Sequence, residues 1–358
     1  MSRPVRIGFI GAGGNTRARH LPGFKAIPGV ELVAVCNRTK VSGESIAREF
    51  GLPVVAENWQ QLMAAPEIDA ICIGTWPNLH APLVVAALQA GKHVLTEARM
   101  ARDLTEAQAM LAESRRHPQL VAQIVPAPMS LPFDATVINL LQDGTLGAVR
   151  EVFLTGTTDA LADSTQPLSW RQDSALSGKN TLYLGIYYEM MLRWLGLGVS
   201  SVVAAAAIHT RERPAGGTGL QPTTVPESVT VLGTFAPGLP GTGGNRVALD
   251  NGARLVAHFS GVELAQPRSE ICVNGTKAGL RLDLARQELW LATRGEAERR
   301  VEIAAHRRGA WNVETDFIAS IRDGRPVTLT DFATGVEYMR FTDAVWESWN
   351  SAGARVAL

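Results

Sequence analysis

The most informative stretch of the sequence is Val5-Arg6-Ile7-Gly8-Phe9-Ile10-Gly11-Ala12-Gly13-Gly14-Asn15-Thr16. Its short apolar run ends in glycines, and the following segment 16–27 has the apolar spacing of a helix. Gly11 permits a tight turn, and Gly13 leaves the backbone open to the close approach of a pyrophosphate. The free N–H groups at the start of the helix complete an anion site. The stretch therefore predicts a dinucleotide-binding turn, with Thr16 in place of the usual third glycine.

Short apolar strands alternate with helical segments on both sides of this turn. Strands are expected at 5–10, 30–36, 52–56, 68–75, 93–97 and 120–125, and helices at 16–27, 42–50, 59–65, 82–90 and 105–117. Continuous apolar strands separated by helices indicate a parallel sheet that is covered on both faces. We therefore predict a doubly wound α/β Rossmann domain over residues 1–124.

The pattern changes after Pro126, Pro128 and Pro132, which fall within seven residues and mark a boundary. A helix at 133–142 is followed by long β-type stretches at 149–158, 201–209, 228–235, 253–260 and 269–274. Turn formers such as Asp250-Asn251-Gly252 favour hairpins, so residues 125–358 are predicted to form an α/β domain with a large, mostly antiparallel open sheet. The last helix, 332–352, is expected to pack back on the body, and the segments 211–226 and 236–244 to form exposed loops.

Composition excludes several classes of protein. The 358 residues suit two domains, and the 46% of apolar residues suit a real core. Lys+Arg and Asp+Glu number 34 each, which argues against nucleic acid or an anionic membrane as partner. The chain shows no leader pattern and no membrane-spanning run, so a cytoplasmic protein is expected. Cys36, Cys72 and Cys272 lie in apolar stretches without metal-like spacing, which predicts buried reduced thiols and no metal site.

The end of the second strand predicts which dinucleotide binds. An NAD site usually offers a carboxylate there, about 20 residues after the glycines. This sequence has Asn37-Arg38-Thr39 instead. Asn37 does not repel a 2′-phosphate and Arg38 could pair with one, so NADP is favoured over NAD. The alternative is a solvated Arg38, or one stacked on adenine, with NAD still accepted.

The ends of other strands supply further candidates, because carboxyl ends line the ligand crevice of such a sheet. The third strand ends in Thr75-Trp76-Pro77-Asn78-Leu79-His80. Trp76 could flank a flat ring or pack in the core, and Asn78 could meet ribose or phosphate. His80 could do the same or form a hydrogen bond at the helix start. Gln123, which ends the last strand, is a candidate for contact with nicotinamide or substrate.

Ordered motifs carry a family resemblance. The glycine-rich turn, Thr75–His80 and Ala90-Gly91-Lys92-His93-Val94-Leu95-Thr96-Glu97 resemble the glucose–fructose oxidoreductase / inositol dehydrogenase (Gfo/Idh/MocA) family, as do the stretches 144–147, 170–171, 273–279 and 321–327. The resemblance implies hydride transfer to or from sugars and polyols, and homo-oligomer contacts through the open sheet. It also implies that Glu97 contacts the nicotinamide ribose, and that Trp170 and Arg171 contact the cofactor.

Two departures from the family pattern affect the chemistry. The family usually continues its Glu with Lys-Pro, and that Lys lies near the reacting carbinol, whereas this chain has Glu97-Ala98-Arg99. Family members also commonly carry Asp and His four residues apart on one helix face. The matching positions are Tyr183 and Tyr187.

Tyr187 is the first candidate for moving the substrate proton, and Tyr183 is the second. A phenol can serve if a nearby cation, Lys179 or the oxidised nicotinamide, lowers its pKa. The alternative is that both hydroxyls only bind a sugar. Mixed donors and acceptors suited to a polyhydroxylated substrate are offered by Asp173, Lys179, Asn180 and Tyr183.

Three functions are compatible with these residues. The first is an NAD(P)-dependent oxidoreductase that moves hydride between the nicotinamide and a carbinol of a sugar, glycoside or cyclitol. The second is a redox-neutral glycosidase that oxidises a sugar transiently, eliminates an aglycone and reduces the sugar again. The third is a non-catalytic dinucleotide-binding protein. The retained Glu97 and the two tyrosines argue against the third.

Overall fold

The computed structural model describes residues 3–217, 219–235 and 247–358. The chain divides into two compact units: Met1–Pro126 with Asn312–Val336, and Ala127–Trp311 with Glu337–Leu358. The loop expected at 236–244 lies outside the described residues.

The first unit contains a six-stranded parallel sheet in the order β3-β2-β1-β4-β5-β6. Its strands are β1 (Val5–Ile10), β2 (Val30–Cys36), β3 (Val54–Val55), β4 (Ala70–Ile73), β5 (His93–Thr96) and β6 (Ala122–Ile124). The apolar side chains of the central strands are buried, as continuous apolar runs predict. This strand order confirms the predicted doubly wound Rossmann architecture.

Helices connect these strands, and three of them begin at side-chain caps. They are α1 (Leu21–Lys25), α2 (Lys40–Phe50), α3 (Trp59–Ala64), α4 (His80–Gln89) and α5 (Leu104–Arg116). Thr39, Asn58 and Asp103 each accept a backbone N–H three residues on, which satisfies a donor that the first helical turn leaves free. The helix expected over 16–27 is instead a π-helical turn, Thr16–His20, followed by α1.

The second unit contains a nine-stranded sheet in the order β16-β15-β14-β13-β7-β12-β11-β8-β17. Its strands, with a separate hairpin of β9 and β10, are β7 (Val149–Thr157), β8 (Val199–Ala207), β9 (Glu212–Pro214), β10 (Leu220–Pro222), β11 (Ser228–Phe235), β12 (Leu249–Ser260), β13 (Arg268–Gly275), β14 (Ala278–Asp283), β15 (Glu288–Thr293), β16 (Arg299–Arg300) and β17 (Val356–Ala357). The pair β7–β12 is parallel and the other pairs are antiparallel. The sheet is therefore mixed and mostly antiparallel.

Three helices precede β8 in the second unit: α6 (Asp134–Gln142), α7 (Ser174–Ser177) and α8 (Leu184–Leu195). Two further helices follow later in the chain: α9 (Val313–Asp323), which belongs to the first unit, and α10 (Phe332–Asn350). Phe341 of α10 stacks on Tyr188 of α8 with the ring centroids 3.8 Å apart. The last helix therefore packs back on the body of its unit.

A late segment of the chain completes the first unit. The Ile124 N–H donates to the Thr330 carbonyl at 3.0 Å, and Gln123 forms a β-bridge with Asp331. The boundary expected after residue 124 lies close to the end of the first segment at Pro126. The sequence carries no signal for the return of Asn312–Val336, because such a return depends on long-range packing.

Two local expectations were wrong. Asp250-Asn251-Gly252 does not separate two strands, because β12 runs through it with a shift of register between Leu249 and Arg254. The segment 211–226 is not uniformly exposed. It contains the short strands β9 and β10, and Arg213 is 1% exposed.

Candidate active site

The glycine-rich turn leaves the end of β1 as a tight loop. Gly11 has φ +78°, and a Cβ there would lie 2.7 Å from Thr75 Cγ2 and 2.8 Å from the Thr75 nitrogen. A Cβ on Gly14 would meet nothing within 4 Å. Gly11 is therefore needed to form the turn, whereas the backbone at Gly14 is open, as the approach of a pyrophosphate requires.

Thr16 stands where the dinucleotide motif usually has its third glycine. Its side chain fits because the residue packed against it, Gly74, has no side chain. A Cβ on Gly74, which follows β4, would lie 2.0 Å from the Thr16 Oγ1 and 2.5 Å from the Gly11 carbonyl oxygen. The close packing between strand and turn that a third glycine usually permits is thus supplied by Gly74.

Buried polar atoms without partners mark the carboxyl edge of the parallel sheet. Five such atoms have no hydrogen-bond partner among the described residues: Thr16 Oγ1, Thr75 Oγ1, Asn78 Oδ1, Thr96 Oγ1 and Gln123 Oε1. A buried polar group without a hydrogen bond costs roughly 1–3 kcal/mol, so such atoms call for a polar ligand. The residues present therefore fit a dinucleotide at this edge, which is where doubly wound sheets bind one.

The end of β2 carries no carboxylate. Asn37 Oδ1 accepts the Ala12 N–H at 2.7 Å, so the Asn37 side chain supports the glycine-rich turn. The Arg38 guanidinium lies 5.4 Å from the centre of the Trp76 ring. Arg38 and Trp76 thus form one cationic and aromatic surface beside the turn.

His80 is part of the scaffold behind the site. Its side chain is 1% exposed, and its ring nitrogens lie 3.0 Å from the Thr75 carbonyl and 3.0 Å from the Arg99 carbonyl. Burial lowers its pKa below the ordinary histidine value. This position fits the hydrogen-bonding role that the sequence left open for His80 rather than contact with phosphate.

Glu97 follows β5 and joins a cluster of polar side chains in the first unit. Its Oε1 accepts from Asn15 Nδ2 at 2.5 Å and lies 3.0 Å from His20 Nε2. His20 Nδ1 lies 2.5 Å from Glu314 Oε1 on α9. The sequence predicted Glu97 and Asn15 as cofactor residues but missed His20 and Glu314. Glu314 is 294 residues away from His20, and no local pattern signals their contact.

The segment after Glu97 lacks the lysine that the family usually has. Ala98 has no polar group, and the Ala98–Arg99 peptide bond is cis. Arg99 is 9% exposed.

The two tyrosines predicted for proton transfer lie at the start of α8 in the second unit. Their ring centroids are 6.4 Å apart, and Tyr183 is 51% exposed whereas Tyr187 is 2% exposed. The Tyr187 hydroxyl is hydrogen-bonded to Ser269 Oγ at 2.7 Å. Burial raises the pKa of Tyr187 to about 12, which is opposite to the lowering expected from Lys179.

Lys179 has a different partner from the one expected. Its ammonium group forms an ion pair with the Asp343 carboxylate of α10. One turn further on, the Trp346 indole N–H donates to Thr181 Oγ1 at 2.9 Å. Lys179, Asp343, Thr181 and Trp346 therefore form a joined polar group in the second unit. The sequence identified Lys179 but gave no sign of Asp343.

The remaining residues predicted in this region have local contacts. Asp173 Oδ1 accepts the Ala175 N–H at 2.9 Å, which caps α7. The Asn180 Nδ2 donates to the Ser177 carbonyl at 2.6 Å. The Arg171 guanidinium lies 4.3 Å from the centre of the Trp170 ring. These contacts account for the order of the segment 170–180, and whether its residues bind ligand stays a prediction.

Among the described residues, no group of three or more His, Cys, Asp or Glu side chains could hold a metal ion. No helix of the described chain is long and apolar enough to cross a membrane.

Comparison with known families identifies the class. Residues 5–124 match the family described as "Oxidoreductase family, NAD-binding Rossmann fold", and residues 135–281 match the "GFO/IDH/MocA C-terminal domain". The chain belongs to the Gfo/Idh/MocA oxidoreductase family. The first unit described above is thus the NAD-binding Rossmann fold of this family, as the sequence motifs predict.

Two curated relatives are similar in sequence. A dTDP-3,4-didehydro-2,6-dideoxy-alpha-D-glucose 3-reductase from Saccharopolyspora spinosa is 29% identical over 212 residues, 59% of this chain and 62% of the relative. A levoglucosan dehydrogenase from Pseudarthrobacter phenanthrenivorans is 28% identical over 220 residues, 59% of this chain and 56% of the relative. The chain thus aligns with about three fifths of the length of these relatives.

A solved structure with the same fold is a levoglucosan dehydrogenase in complex with NADH and L-sorbose. Its TM-score is 0.85 at 22% sequence identity, and the superposition covers 99% of each chain. This likeness confirms the fold over both units.

Proposed function

We propose that this protein is an NAD(P)-dependent oxidoreductase that transfers hydride between the nicotinamide and a carbinol carbon of a sugar, a glycoside or a cyclitol. The observation that carries the proposal is the set of buried polar atoms without partners at the carboxyl edge of the parallel sheet, beside the open Gly14. A dinucleotide offers the phosphate oxygens, ribose hydroxyls and carboxamide that such atoms need.

The similarity to sugar-active relatives supports a carbohydrate as substrate. Both relatives are named as enzymes that act on sugars. The second unit offers matching chemistry, because it contains both a half-exposed Tyr183 ring and the charged Lys179–Asp343 pair. A sugar has apolar C–H faces and many hydroxyls, and it is bound by such mixed surfaces.

Tyr187 is proposed to hold the proton that enters or leaves the substrate oxygen. When bound, the nicotinamide supplies or accepts the hydride. Because burial raises the Tyr187 pKa to about 12, its phenol is protonated at neutral pH. In the direction of ketone reduction, the Oη–H would donate its proton to the oxygen that gains charge as hydride reaches the carbon. Ser269 Oγ, 2.7 Å away, orients this phenol.

The end of β2 supports NADP over NAD as the proposed preference. Asn37 is neutral and engaged with the turn, and Arg38 is a cation beside the site of the adenosine ribose. A carboxylate that would repel a 2′-phosphate is absent from this position. The contact of Arg38 with Trp76 also suits stacking on adenine, so both dinucleotides belong in the test.

The experiment first measures dinucleotide binding and then substrate turnover. The purified protein is first titrated with NADH and with NADPH, with the fluorescence of the reduced cofactor as signal. A panel of sugars, glycosides and ketosugars is then followed at the absorbance of reduced nicotinamide, in both directions. Net gain or loss of reduced cofactor is the expected result.

Two other outcomes would overturn the proposal. Release of an aglycone from a glycoside with no net change in reduced cofactor would identify the redox-neutral glycosidase instead. Tight binding of a dinucleotide without turnover across the panel would favour a non-catalytic role.

A further inference from the structure

The first unit contains a cluster of polar side chains, the His20 cluster, formed by Asn15, His20, Glu97 and Glu314. Its ionisable groups are buried and lie within hydrogen-bonding distance of one another. His20 has no exposed surface, and each of its ring nitrogens faces a carboxylate oxygen: Glu314 Oε1 at 2.5 Å and Glu97 Oε1 at 3.0 Å. The two carboxylate side chains are 5% and 15% exposed. Three ionisable groups are thus packed together directly behind the glycine-rich turn.

We propose that His20 is a buried imidazolium that positions Glu97 for the dinucleotide, and that Glu314 holds the charge on His20. The proposal rests on the dinucleotide site of the proposed function. It adds to that site a chain of three contacting residues, Glu97, His20 and Glu314, the last of which lies on α9. His20 and Glu314 are positioning residues, because they act through Glu97.

With a carboxylate oxygen beside each ring nitrogen, the geometry favours two N–H donors on His20. A neutral imidazole has a single N–H, so one of its nitrogens would direct a lone pair at a carboxylate oxygen. An imidazolium donates on both sides, and its hydrogen bonds to carboxylates are of the strong, charge-assisted kind. Burial by itself lowers the His20 pKa, but the hydrogen bonds and charges of Glu314 and Glu97 outweigh it and raise the pKa to about 9.

The contacts of Glu97 are one-sided. Asn15 and His20 both reach Oε1, and among the described residues no hydrogen bond reaches Oε2. Oε2 is therefore left to accept from vicinal hydroxyls, which is the chemistry that a ribose diol offers. Because Ala98 carries no charge, the cation that contacts Glu97 is His20. Its hydrogen bond lowers the pKa of Glu97 despite burial, so Glu97 stays a carboxylate.

Space for Glu314 is reserved by a glycine. A Cβ on Gly23 would lie 2.8 Å from the Glu314 Cδ and 2.9 Å from its Oε2. The Glu314 carboxylate therefore passes α1 at Gly23, where the absence of a side chain leaves room for it to reach His20.

The charges of the other titratable groups around His20 change little between pH 7 and pH 10. Glu97 and Glu314 are the carboxylates in contact, and His80 near Glu97 has a lowered pKa and is neutral. Burial, together with the two carboxylates, raises the pKa of the Cys72 thiol well above its ordinary value. Burial and Glu314 raise the pKa of Asp316 on α9. His20 is thus the group of this cluster whose charge changes as pH rises from 7 to 10.

The test is the pH dependence of dinucleotide binding. The Kd for the reduced dinucleotide is measured by fluorescence from pH 6 to pH 10 for the wild type, H20Q and E314Q. Binding by the wild type is expected to be constant up to pH 8 and to weaken as pH rises through about 9, because His20 then loses its proton. In E314Q the midpoint is expected to move to lower pH by about one unit, because one stabilising carboxylate is gone.

H20Q keeps a neutral donor toward Glu97 but has no charge to lose. It is expected to bind about tenfold more weakly at pH 7, the loss that accompanies the change from a charge-assisted to a neutral hydrogen bond, with no transition near pH 9. The matched control is H117Q, since His117 also contacts a glutamate, Glu113, at 3.1 Å, but far along α5. The control is expected to show the wild-type profile.

A measurement on the wild type alone keeps the proposal testable if a variant does not fold. With 15N-labelled histidine, one imidazole is expected to keep both N–H groups up to about pH 9 in an NMR titration. An E314Q profile identical to that of the wild type, or a set of histidines that are all neutral at pH 8, would overturn the proposal. Failure of the wild type to bind either dinucleotide at any pH would overturn the dinucleotide site itself.

Discussion

Tyr187 and Tyr188 are neighbours on α8 whose hydroxyls have different partners. The Tyr187 hydroxyl contacts Ser269 Oγ, whereas the Tyr188 hydroxyl accepts the Val199 N–H at 2.9 Å. We expect Tyr187→Phe to lower kcat by about 10²-fold or more, because the proposed proton donor is lost while the ring keeps its packing. Steady-state kinetics with the best substrate of the panel measure this.

Tyr188→Phe is the matched control, since it removes a buried hydroxyl from the same helix. Its effect is expected on stability, about 1–3 kcal/mol, because the Val199 N–H loses its acceptor. Its kcat is expected to remain near the wild-type value. Equal turnover by Tyr187→Phe and the wild type would remove Tyr187 from the mechanism.

At the residue scale, local sequence could predict only part of the site. The turn Gly11–Thr16 was recognisable from its placement between a strand and a helix, whereas Glu97 was indicated by the family resemblance. A nearby cation was expected to lower the Tyr187 pKa, but burial, which a sequence does not show, raises it, and Lys179 pairs with Asp343 instead. His20 was missed because its role depends on Glu314, which lies on a helix near the other end of the chain.

The turn between β1 and α1 offers a test at the scale of an element. Gly11→Ala is expected to lower the melting temperature and to abolish dinucleotide binding, because φ +78° disfavours an L side chain and the new Cβ meets Thr75 at 2.7 Å. The cost of the backbone conformation alone is about 1–2 kcal/mol. Gly14→Ala, with open space around the Cβ, is expected to melt like the wild type. Thermal unfolding of the two variants without ligand makes the comparison, and equal melting temperatures would contradict it.

The hairpin β9–β10 is anchored by a buried ion pair. The Arg213 guanidinium lies 2.7 Å from Glu227 Oε1, with the side chains 1% and 0% exposed, and also donates to the carbonyl groups of Leu161 and Asp163. Glu227→Gln is expected to lower the free energy of unfolding by about 3–5 kcal/mol, because it leaves a buried cation unpaired.

Urea denaturation measures this change, and Glu212→Gln on the exposed side of β9 is the control. The control is expected to change stability by less than about 0.5 kcal/mol. A similar small change in Glu227→Gln would show that the ion pair does not anchor the hairpin.

Whole elements were easier to predict than their contacts. β11 was predicted as a β-type stretch with its observed bounds, 228–235, and in the structure burial alternates along it. The turn expected at Asp250–Gly252 was wrong because Gly252, with φ +75°, is accommodated inside a strand as an irregularity rather than at its end. Turn-forming residues alone do not distinguish these two cases.

On the scale of the molecule, one face of the nine-stranded sheet carries an apolar patch. Leu232 is 53% exposed, and its cross-strand neighbours Val203 and Val256 are partly exposed on the same face. We expect this face to form the proposed homo-oligomer contact, so Leu232→Asp shifts the protein to monomer in size-exclusion chromatography with light scattering. Leu264→Asp, at an 80% exposed position outside the strands, is expected to keep the wild-type mass. A monomeric wild type would contradict this expectation.

The first unit is assembled from both ends of the chain, and this has a consequence during translation. Thr330 and Asp331 pair with β6, and Glu314 reaches His20, only after the ribosome has made more than three hundred residues. A nascent chain that ends before α9 therefore has the glycine-rich turn but not its charged support. The second unit, whose main segment ends at Trp311, emerges in between. We therefore expect the glycine-rich turn to hold a dinucleotide only once α9 has emerged, after the main segment of the second unit.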